Sequence, residues 1–227
     1  MRKALIDGDI FTYRAAWACN DEAEDEALKA FDSLVADAIL ASGCYEYQVY
    51  LTGKGNFRFD YAVTAEYKGN RKAVSPPVHK DAIRKHAMEH WDAIMTEGEE
   101  ADDLISIHAT ELGLLNSIIV SIDKDFLQVP GLHYNPVKKQ HKAVDYWSGL
   151  LFFYQQILMG DSADNIIDIK GIGPAKSLKI LNDAADEMEL YARCIEQYNG
   201  DEARVIENAR LLWLRREHGQ IWEPPTC

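Results

Sequence analysis

Two apolar strand patterns in this chain end directly in acidic residues. Residues 3–6 lead into Asp7-Gly8-Asp9, and residues 117–122 lead into Asp123-Lys124-Asp125. Parallel strands place their carboxyl ends at one edge of a sheet, and the binding sites of open α/β folds form outside that edge. The sequence therefore predicts a parallel sheet with acidic residues gathered along one edge.

Two further acidic clusters extend this pattern. Residues 97–103 hold five acids in seven positions before an apolar helical pattern, and Asp161 and Asp164 form the fourth cluster. Helix capping explains part of the first, since an acid in the first turn contributes about 0.3–1 kcal/mol. Five acids exceed what capping needs, and converging carboxylates without a cation take up protons. Such oxygen ligands suit Mg²⁺ or Mn²⁺, and two of these ions can serve phosphodiester hydrolysis.

Strand and helix patterns alternate along the chain. Their predicted positions are a helix at 27–41, a strand at 46–52, and helices at about 80–95 and 100–112. Residues 53–80 are basic and carry Gly and Pro, which is typical of a long functional loop or arch. From residue 148 onward the pattern is mostly helical. The order predicts a parallel sheet covered by helices, in one large domain or in a main domain with a small annex.

The net charge of −13 speaks at first against a nucleic-acid partner, because phosphate binding depends on Lys and Arg. The charge is unevenly distributed, however. Residues 68–86 hold six basic residues against one acid, residues 138–142 are basic, and Lys170, Lys176 and Lys179 form a third group. These groups are either solvated faces or phosphate contacts. Their alternation with acidic clusters favours a protein that holds phosphate with one part and metal with another.

Targeting signals and cysteine motifs are not evident in the sequence. No apolar run approaches the roughly 18 residues of a membrane span, and the start lacks a signal-peptide pattern. The four cysteines show no CxxC and no close pair, so neither a zinc site nor a disulfide framework is indicated. We therefore expect a soluble protein in the cytoplasm.

Gly171-Ile172-Gly173 followed by Pro174 forms a distinctive break in the helical part. Two glycines allow the backbone to approach a phosphate closely, and Pro174 suits the first turn of a new helix, whose free N–H groups attract anions. A plain turn between two helices is the alternative. Lys170 and Lys176 on either side favour phosphate contact.

Taken together, the motifs resemble the flap endonuclease or 5′-nuclease family, closest to phage 5′→3′ exonucleases and the 5′-nuclease domain of bacterial DNA polymerase I. The resemblance covers residues 3–182 approximately. Its motifs, in order, are Leu5-Ile6-Asp7-Gly8-Asp9, Glu66-Tyr67-Lys68-Gly69-Asn70-Arg71-Lys72, Glu99-Glu100-Ala101-Asp102-Asp103, Ser121-Ile122-Asp123-Lys124-Asp125 and Met159-Gly160-Asp161-Ser162-Ala163-Asp164-Asn165, leading into Gly171-Ile172-Gly173.

The resemblance implies an α/β fold with a PIN-like parallel sheet flanked by helices and a helical C-terminal part. Residues 1–147 are expected to form the nuclease core, with a basic arch at about 60–95. Residues 148–227 are expected to be helical, with a helix-three-turn-helix DNA-binding element at about 155–182.

The resemblance also implies roles for individual residues. The ligands of a first metal would be Asp7, Glu100 and Asp102, and those of a second metal or its water shell would be Asp103, Asp123, Asp125, Asp161 and Asp164. The expected catalytic cations are Lys68 and Arg71, which act on the scissile phosphate. The expected DNA contacts are Tyr67, Lys68, Arg71, Lys72, Lys170, Gly171, Gly173 and Lys176. A potassium ion at the Gly171–Gly173 hairpin is a further implication.

One position departs from the family pattern. The family has an aspartate at the end of the second strand, where this chain reads Leu51-Thr52-Gly53-Lys54-Gly55. Asp9 is a hypothetical substitute ligand of the first metal. If it does not substitute, the metal site is weakened.

The function implied is a Mg²⁺- or Mn²⁺-dependent 5′→3′ exonuclease or flap endonuclease with two ions, acting on 5′ ends or flaps of duplex DNA in phage or cellular replication. A monomer with a replication polymerase as partner is expected, in the host cytoplasm if a phage encodes the chain. The alternative is a structure-specific DNA-binding protein with a degenerate metal site.

Overall fold

A computed structural model describes residues 2–73 and 75–226, without the side chains of residues 72 and 73. Within that part of the chain, no helix combines the length and the apolar character that a membrane span requires. Lys72, an expected DNA contact, has its side chain outside the described residues.

Strands and helices alternate through the first two thirds of the chain. The strands are β1 (Lys3–Asp7), β2 (Glu46–Lys54), β3 (Ile94–Glu97), β4 (Ser117–Val120), β5 (Gly131–Asn135) and β6 (Gln140–Val144). The helices are α1 (Gly8–Ala18), α2 (Glu24–Ser42), α3 (Arg58–Tyr61), α4 (Lys80–His90), α5 (Ala101–Leu112), α6 (Tyr146–Met159), α7 (Pro174–Leu181), α8 (Glu187–Gln197) and α9 (Glu202–Leu212). Short 3₁₀ helices lie at Gly69–Ala73 and Lys124–Gln128.

The six strands form one sheet in the order β3-β2-β1-β4-β5-β6. All neighbours are parallel except β5 and β6, which form an antiparallel hairpin. The fold prediction of a parallel sheet flanked by helices, followed by a helical C-terminal part, is confirmed. Since β1 and β4 are adjacent and parallel, the acidic residues that follow them lie at the same edge of the sheet.

Apolar side chains fill the space on both faces of the sheet. Phe11 of α1 and Phe31 of α2 pack with Ile6 and Val49 on one face, while Ile105 of α5 packs on the other. A separate cluster holds the C-terminal helices together around Phe153 and Tyr154 of α6 and their neighbours in α7, α8 and α9. This division places the acidic edge of the sheet beside the loop that follows α6.

Three features differ from the sequence predictions. The helix predicted at about 80–95 ends at His90, because Asp92 adopts a left-handed backbone with φ of 48° and the chain then continues as β3. Three of the four β3 residues are exposed, so no apolar run indicates this strand. The hairpin of β5 and β6 was also not predicted, and it contains the basic run at 138–142.

The segment between α6 and α7 is compact. An isolated pair of backbone bonds between Asp161 and Ile166 closes a small loop directly after α6. Gly160, with φ of 60°, is needed there because a Cβ would lie 2.4 Å from the carbonyl oxygen of Ile166. The loop thereby holds Asp161 and Asp164 on a fixed backbone.

Candidate active site

An open pocket of about 1080 Å³ lies at the carboxyl ends of the parallel strands. Its lining includes residues from all four acidic clusters and from the predicted basic arch. The predicted site residues in this lining are Asp7, Asp9, Lys68, Arg71, Glu100, Asp102, Asp123, Asp125, Asp161 and Asp164. Residues up to 157 positions apart in sequence are thus brought together.

Asp7 forms the floor of the pocket where β1 passes into α1. Its carboxylate is the N-cap of α1, and its Oδ2 accepts a hydrogen bond of 2.8 Å from the Ser121 hydroxyl. The same hydroxyl oxygen accepts the backbone N–H of Asp123 at 2.9 Å. Ser121 therefore ties the acids that follow β1 to those that follow β4.

Glu100 forms a second wall at the start of α5. Its carboxylate contacts the Lys68 ammonium, and its Oε2 lies 2.9 Å from the Tyr67 hydroxyl. Asp102 follows in the first turn of α5 and also faces the pocket. Lys68 thus already neutralises part of this wall.

The loop after α6 docks onto the 66–71 segment of the arch. The backbone N–H of Lys68 donates to the Asp164 carbonyl at 2.8 Å, and the Asn70 amide donates to the Ser162 carbonyl at 2.7 Å. The Arg71 guanidinium pairs with the Asp164 carboxylate. These bonds fix the predicted catalytic cations against the predicted second-metal acids.

Lys124 is an additional cation in the pocket. Its ammonium donates to Asp161 Oδ2 at 2.7 Å and lies 3.7 Å from Asp125 Oδ1. Asp123 caps the short 3₁₀ helix that contains Lys124, so its own carboxylate is positioned by the backbone N–H of Asp125 at 2.9 Å. The acids after β4 and after α6 are therefore bridged by one ammonium group.

Asp103 is the one predicted metal ligand that the structure does not place in the pocket. It is fully buried, and the Arg58 guanidinium holds both of its oxygens at 2.6 and 2.8 Å. Asp103 also closes a capping box with Glu100 at the start of α5. The expectation that it binds the second metal does not fit this position, because its oxygens have other partners away from the pocket.

Glu99, just before α5, also has a cationic partner outside the pocket. Its carboxylate pairs with the Arg215 guanidinium at 3.0 Å, and its side chain is only 12% exposed. This ion pair connects the acidic segment to the end of the chain.

The Asp9 carboxylate lies at the end of β2, where it already has two partners. It accepts the Thr52 backbone N–H at 2.8 Å and the Arg84 guanidinium at 2.6 Å. Gly53 has no room for a side chain, because a Cβ would lie 1.8 Å from the Thr96 carbonyl oxygen. The hypothesis that Asp9 is a substitute metal ligand stays open, with Arg84 as its competitor.

Burial and mutual repulsion raise the pKa of several pocket acids. Burial, with the charge of Asp9, raises the pKa of Asp7 to about 7. Burial, with the charge of Asp123, raises the pKa of Asp125 to about 7 as well. The pocket therefore favours additional positive charge.

Asp161 behaves in the opposite way. Burial opposes its ionisation, but the hydrogen bond and charge of Lys124 hold the pKa of Asp161 below its ordinary value. The direct hydrogen bond from Lys124 thus favours the ionised form of Asp161, whereas its more distant charge, 3.7 Å from Asp125, does not offset burial there.

The donor set suits a hard divalent cation, since the acids present only oxygen atoms. Within residues 2–73 and 75–226, no three or more His, Cys, Asp or Glu side chains are already arranged to hold an ion. Lys68, Arg71, Lys124 and Arg84 pair with these carboxylates instead. The raised pKa values of Asp7 and Asp125 show that these side chains do not satisfy the whole cluster.

The predicted DNA contacts around the glycine hairpin lie outside the pocket lining. Lys170, Gly171, Gly173 and Lys176 are all exposed, while Ile172 between the glycines is buried and anchors the turn. A Cβ added at either glycine would meet no atom of the described residues within 4 Å, so the backbone faces open space. The hairpin thus presents accessible N–H groups at the start of α7.

Sequence reasoning missed three polar residues of this site: Ser121, Arg84 and Lys124. Arg84 was noticed only as part of the basic run, since its partner Asp9 is 75 positions away. Lys124 stands between two predicted ligands in the Asp-Lys-Asp motif, and this position was the available signal.

Comparison with known proteins identifies the family of this chain. A family model described as the N-terminal, resolvase-like domain of 5′-3′ exonucleases matches residues 2–147. The chain belongs to the 5′-3′ exonuclease family.

Individual members of the family are distant relatives. The chain is 29% identical over 164 residues to flap endonuclease Xni of Shewanella piezotolerans, covering 66% of this chain and 64% of that protein. It is 27% identical over 250 residues to the exonuclease of Escherichia phage T7, covering 96% of this chain and 78% of that protein. The chain therefore spans less than two thirds of the length of the flap endonuclease Xni.

A solved structure shares the whole fold. The bacteriophage T5 D15 flap endonuclease, crystallised as a pseudo-enzyme-product complex with DNA and metal ions, matches with a TM-score of 0.69 and 18% identity, covering 93% of this chain and 89% of that one. At this level of identity the match shows that the two proteins share a fold.

Proposed function

We propose that this protein is a divalent-metal-dependent 5′→3′ exonuclease or flap endonuclease that hydrolyses phosphodiester bonds at 5′ ends or flaps of duplex DNA. The observation that carries the proposal is the convergence of acids from all four clusters, with Lys68 and Arg71, in one pocket of a family fold. A pocket with so many carboxylates can approach a phosphate only with cations present.

Mg²⁺ or Mn²⁺ is the proposed cofactor, with two ions. Asp7, Glu100 and Asp102 would hold the first ion, and Asp123, Asp125, Asp161 and Asp164 would hold the second. Two such ions supply an activated water and stabilise the leaving oxygen. Asp9 would assist at the first ion only after release from Arg84.

Lys68 and Arg71 are proposed to bind the scissile phosphate and to stabilise its developing charge. In the structure both are paired with acids, Lys68 with Glu100 and Arg71 with Asp164. Cations held by those acids would leave the two side chains available to phosphate. Tyr67, whose hydroxyl lies between Glu100 and Asp164, would keep these two acids in place and border the entering strand.

The exposed hairpin is proposed to hold the uncleaved duplex. The N–H groups at Gly171 and Gly173, with Lys170, Lys176 and Lys72 of the arch, would contact backbone phosphates. A potassium ion at the hairpin carbonyls, a monomeric state, a replication polymerase as partner and a cytoplasmic location belong to the same proposal.

One experiment separates this proposal from the alternative, a DNA-binding protein with a degenerate metal site. That alternative is favoured by Gly53, which stands where a carboxylate was expected. Flap and blunt duplex DNA labelled at the 5′ end are incubated with the parent protein, in Mg²⁺ or in chelator. We expect short labelled products in the Mg²⁺ samples and none in chelator. Binding without Mg²⁺-dependent products would overturn the enzyme proposal.

Two substitutions complete the design. Asp123→Asn, in the pocket, should abolish cleavage while leaving DNA binding in chelator near the parent value. Asp37→Asn, on the exposed surface of α2, is the matched control and should cleave like the parent.

A further inference from the structure

Residues 211–215, here named the C-terminal strap, connect the end of the chain to two walls of the pocket. The strap leaves α9 at Leu212 and continues in extended backbone from Trp213. Its backbone groups bond to two buried side chains, Arg58 at the odd-numbered positions Leu211 and Trp213, and Gln128 at the even-numbered positions Leu212 and Leu214.

The even-numbered side leads to Asp125. Gln128 Nε2 donates to the Leu212 carbonyl at 2.9 Å, and Gln128 Oε1 accepts the Leu214 N–H at 2.9 Å. Gln128 Nε2 also reaches Gln156 Oε1 at 3.4 Å, and Gln156 Nε2 donates to Asp125 Oδ1 at 2.7 Å. Both glutamines are buried, with 2% and 1% of their surface exposed.

The direction of these amide bonds is determined by the strap. A backbone carbonyl can only accept and a backbone N–H can only donate, so the strap allows one orientation of the Gln128 amide. That orientation offers an N–H to Gln156 Oε1, which in turn directs the Gln156 NH₂ group at Asp125. Asp125 therefore receives a neutral donor of fixed position.

The odd-numbered side leads to the acidic segment before α5. Arg58 donates to the carbonyls of Leu211 at 2.9 Å and Trp213 at 2.8 Å, and it also holds both oxygens of Asp103. The backbone N–H of Arg215 donates to Asp103 Oδ1 at 3.2 Å. Asp103 follows Asp102 directly, so this side fixes the backbone of a second predicted wall.

We infer that the C-terminal strap is a positioning element of the metal site, and that Gln128 and Gln156 are positioning residues which orient Asp125 for the cation. This rests on the proposed function of the pocket. The strap lies beyond residues 2–147, which the family model matches, so the site depends on a segment outside the family domain. Groups that orient metal ligands typically change metal affinity by about 10- to 100-fold when removed.

The test measures Mn²⁺ binding to the full chain without DNA, by electron paramagnetic resonance of the free ion. Gln156→Met and Gln128→Met each remove one amide and keep an unbranched side chain of similar length. We expect both to weaken Mn²⁺ binding by about tenfold or more, and we expect high Mn²⁺ concentration to restore their cleavage of flap DNA.

Asn208→Leu is the matched control. Asn208 is another fully buried amide, but its bonds go to Ile157, Ile167 and Tyr198 rather than to a pocket acid. It should lower the melting temperature and leave Mn²⁺ affinity unchanged. Thermal unfolding of every variant separates loss of folded protein from loss of affinity, and Gln128→Met serves if Gln156→Met does not fold.

The outcomes distinguish the two proposals. If the parent neither binds Mn²⁺ nor cleaves DNA, the proposed function fails. If the parent does both and folded Gln156→Met matches its Mn²⁺ affinity, the positioning role fails. An effect of Gln156→Met without any effect of Gln128→Met would overturn the part assigned to the strap.

Discussion

Both the backbone and the side chain of Lys68 have partners in the site. Its φ of 54° is in the left-handed region, which a non-glycine residue adopts at a cost of roughly 1–3 kcal/mol. The N–H bond to the Asp164 carbonyl and the contact of the ammonium with Glu100 offset that cost. Strain of this kind is found where a side chain has to point in one direction.

We therefore expect Lys68→Met to lower the turnover of flap DNA by about 100-fold or more, because an oriented cation near the scissile phosphate is lost. Binding of the same DNA in chelator should fall far less. Single-turnover cleavage and fluorescence anisotropy measure the two quantities. Lys85→Met, which removes an exposed lysine of α4, is the control, and equal losses of turnover and binding in Lys68→Met would contradict the catalytic role.

Asp7 gives a pH-dependent prediction for stability. Its pKa is about 7 in the folded protein against an ordinary value of 3.8, so the folded state holds the proton more tightly. The stability from this site is full below pH 3.8 and is lost as the pH rises through 7. By linkage the carboxylate then costs on the order of 4 kcal/mol.

Asp7→Asn should accordingly raise the melting temperature at pH 8 in chelator and change it little at pH 4. Differential scanning calorimetry at the two pH values checks this, with Asp37→Asn as the surface control. An Asn variant less stable than the parent at pH 8 would show that the ionised Asp7 carboxylate does not destabilise the folded protein.

At the scale of elements, the end of β2 leaves no room for a side chain at Gly53. β2 and β3 approach so closely at Gly53 that only hydrogen fits against the Thr96 carbonyl. The carboxylate of Asp9, at the start of α1, accepts the Thr52 N–H at the end of β2 and pairs with Arg84 of α4. The positions of the charges beside the end of β2 therefore depend on β2, α1 and α4.

Gly53→Ala should destabilise the protein by roughly 1–3 kcal/mol, because the new methyl group forces β2 and β3 apart. Gly173→Ala is a suitable control, since a Cβ there meets no described atom within 4 Å and its φ is negative. Urea unfolding of both variants measures the difference. Equal stability of Gly53→Ala and the parent would mean that the strands separate without cost.

The elements also show what the sequence could predict. Asp7 and Asp123 could be predicted to lie close together because a buried strand followed by acids is a local pattern. Parallel pairing of the two strands then places both acids at the same edge of the sheet. Asp103 was expected beside Asp102 in the pocket, because helical spacing does not reveal that a guanidinium 45 positions away pairs with it. β3 was missed because its exposed residues resemble a helix end, and the strap was missed because its bonds use backbone atoms.

At the scale of the whole molecule, a net charge of −13 has to coexist with the proposed duplex binding. The exposed glycine hairpin offers local positive charge for that binding, because Lys170 and Lys176 lie outside the lining of the acidic pocket. Binding would then depend on a few local phosphate contacts rather than on overall attraction.

We expect the logarithm of duplex affinity to fall linearly with the logarithm of salt concentration. Replacing both Lys170 and Lys176 with Ala should reduce the slope by about 2, since each phosphate contact contributes roughly 0.9. A salt titration of anisotropy in chelator measures it. The variant with Lys138→Ala and Lys142→Ala loses the same charge from the β5–β6 hairpin, and an equal loss of slope there would contradict a specific role of the glycine hairpin.

The two outermost strands limit how the sheet meets other chains. β3 has only four residues, and β6 is largely exposed and carries His141 and Lys142, next to Lys138 and Lys139 in the turn. Short or lysine-bearing outer strands are poor templates for edge-to-edge pairing. The basic run at 138–142, for which the sequence allows a solvated face or a phosphate contact, places lysines beside the outer strand β6. Charges in this position oppose edge-to-edge pairing of the sheet with another chain.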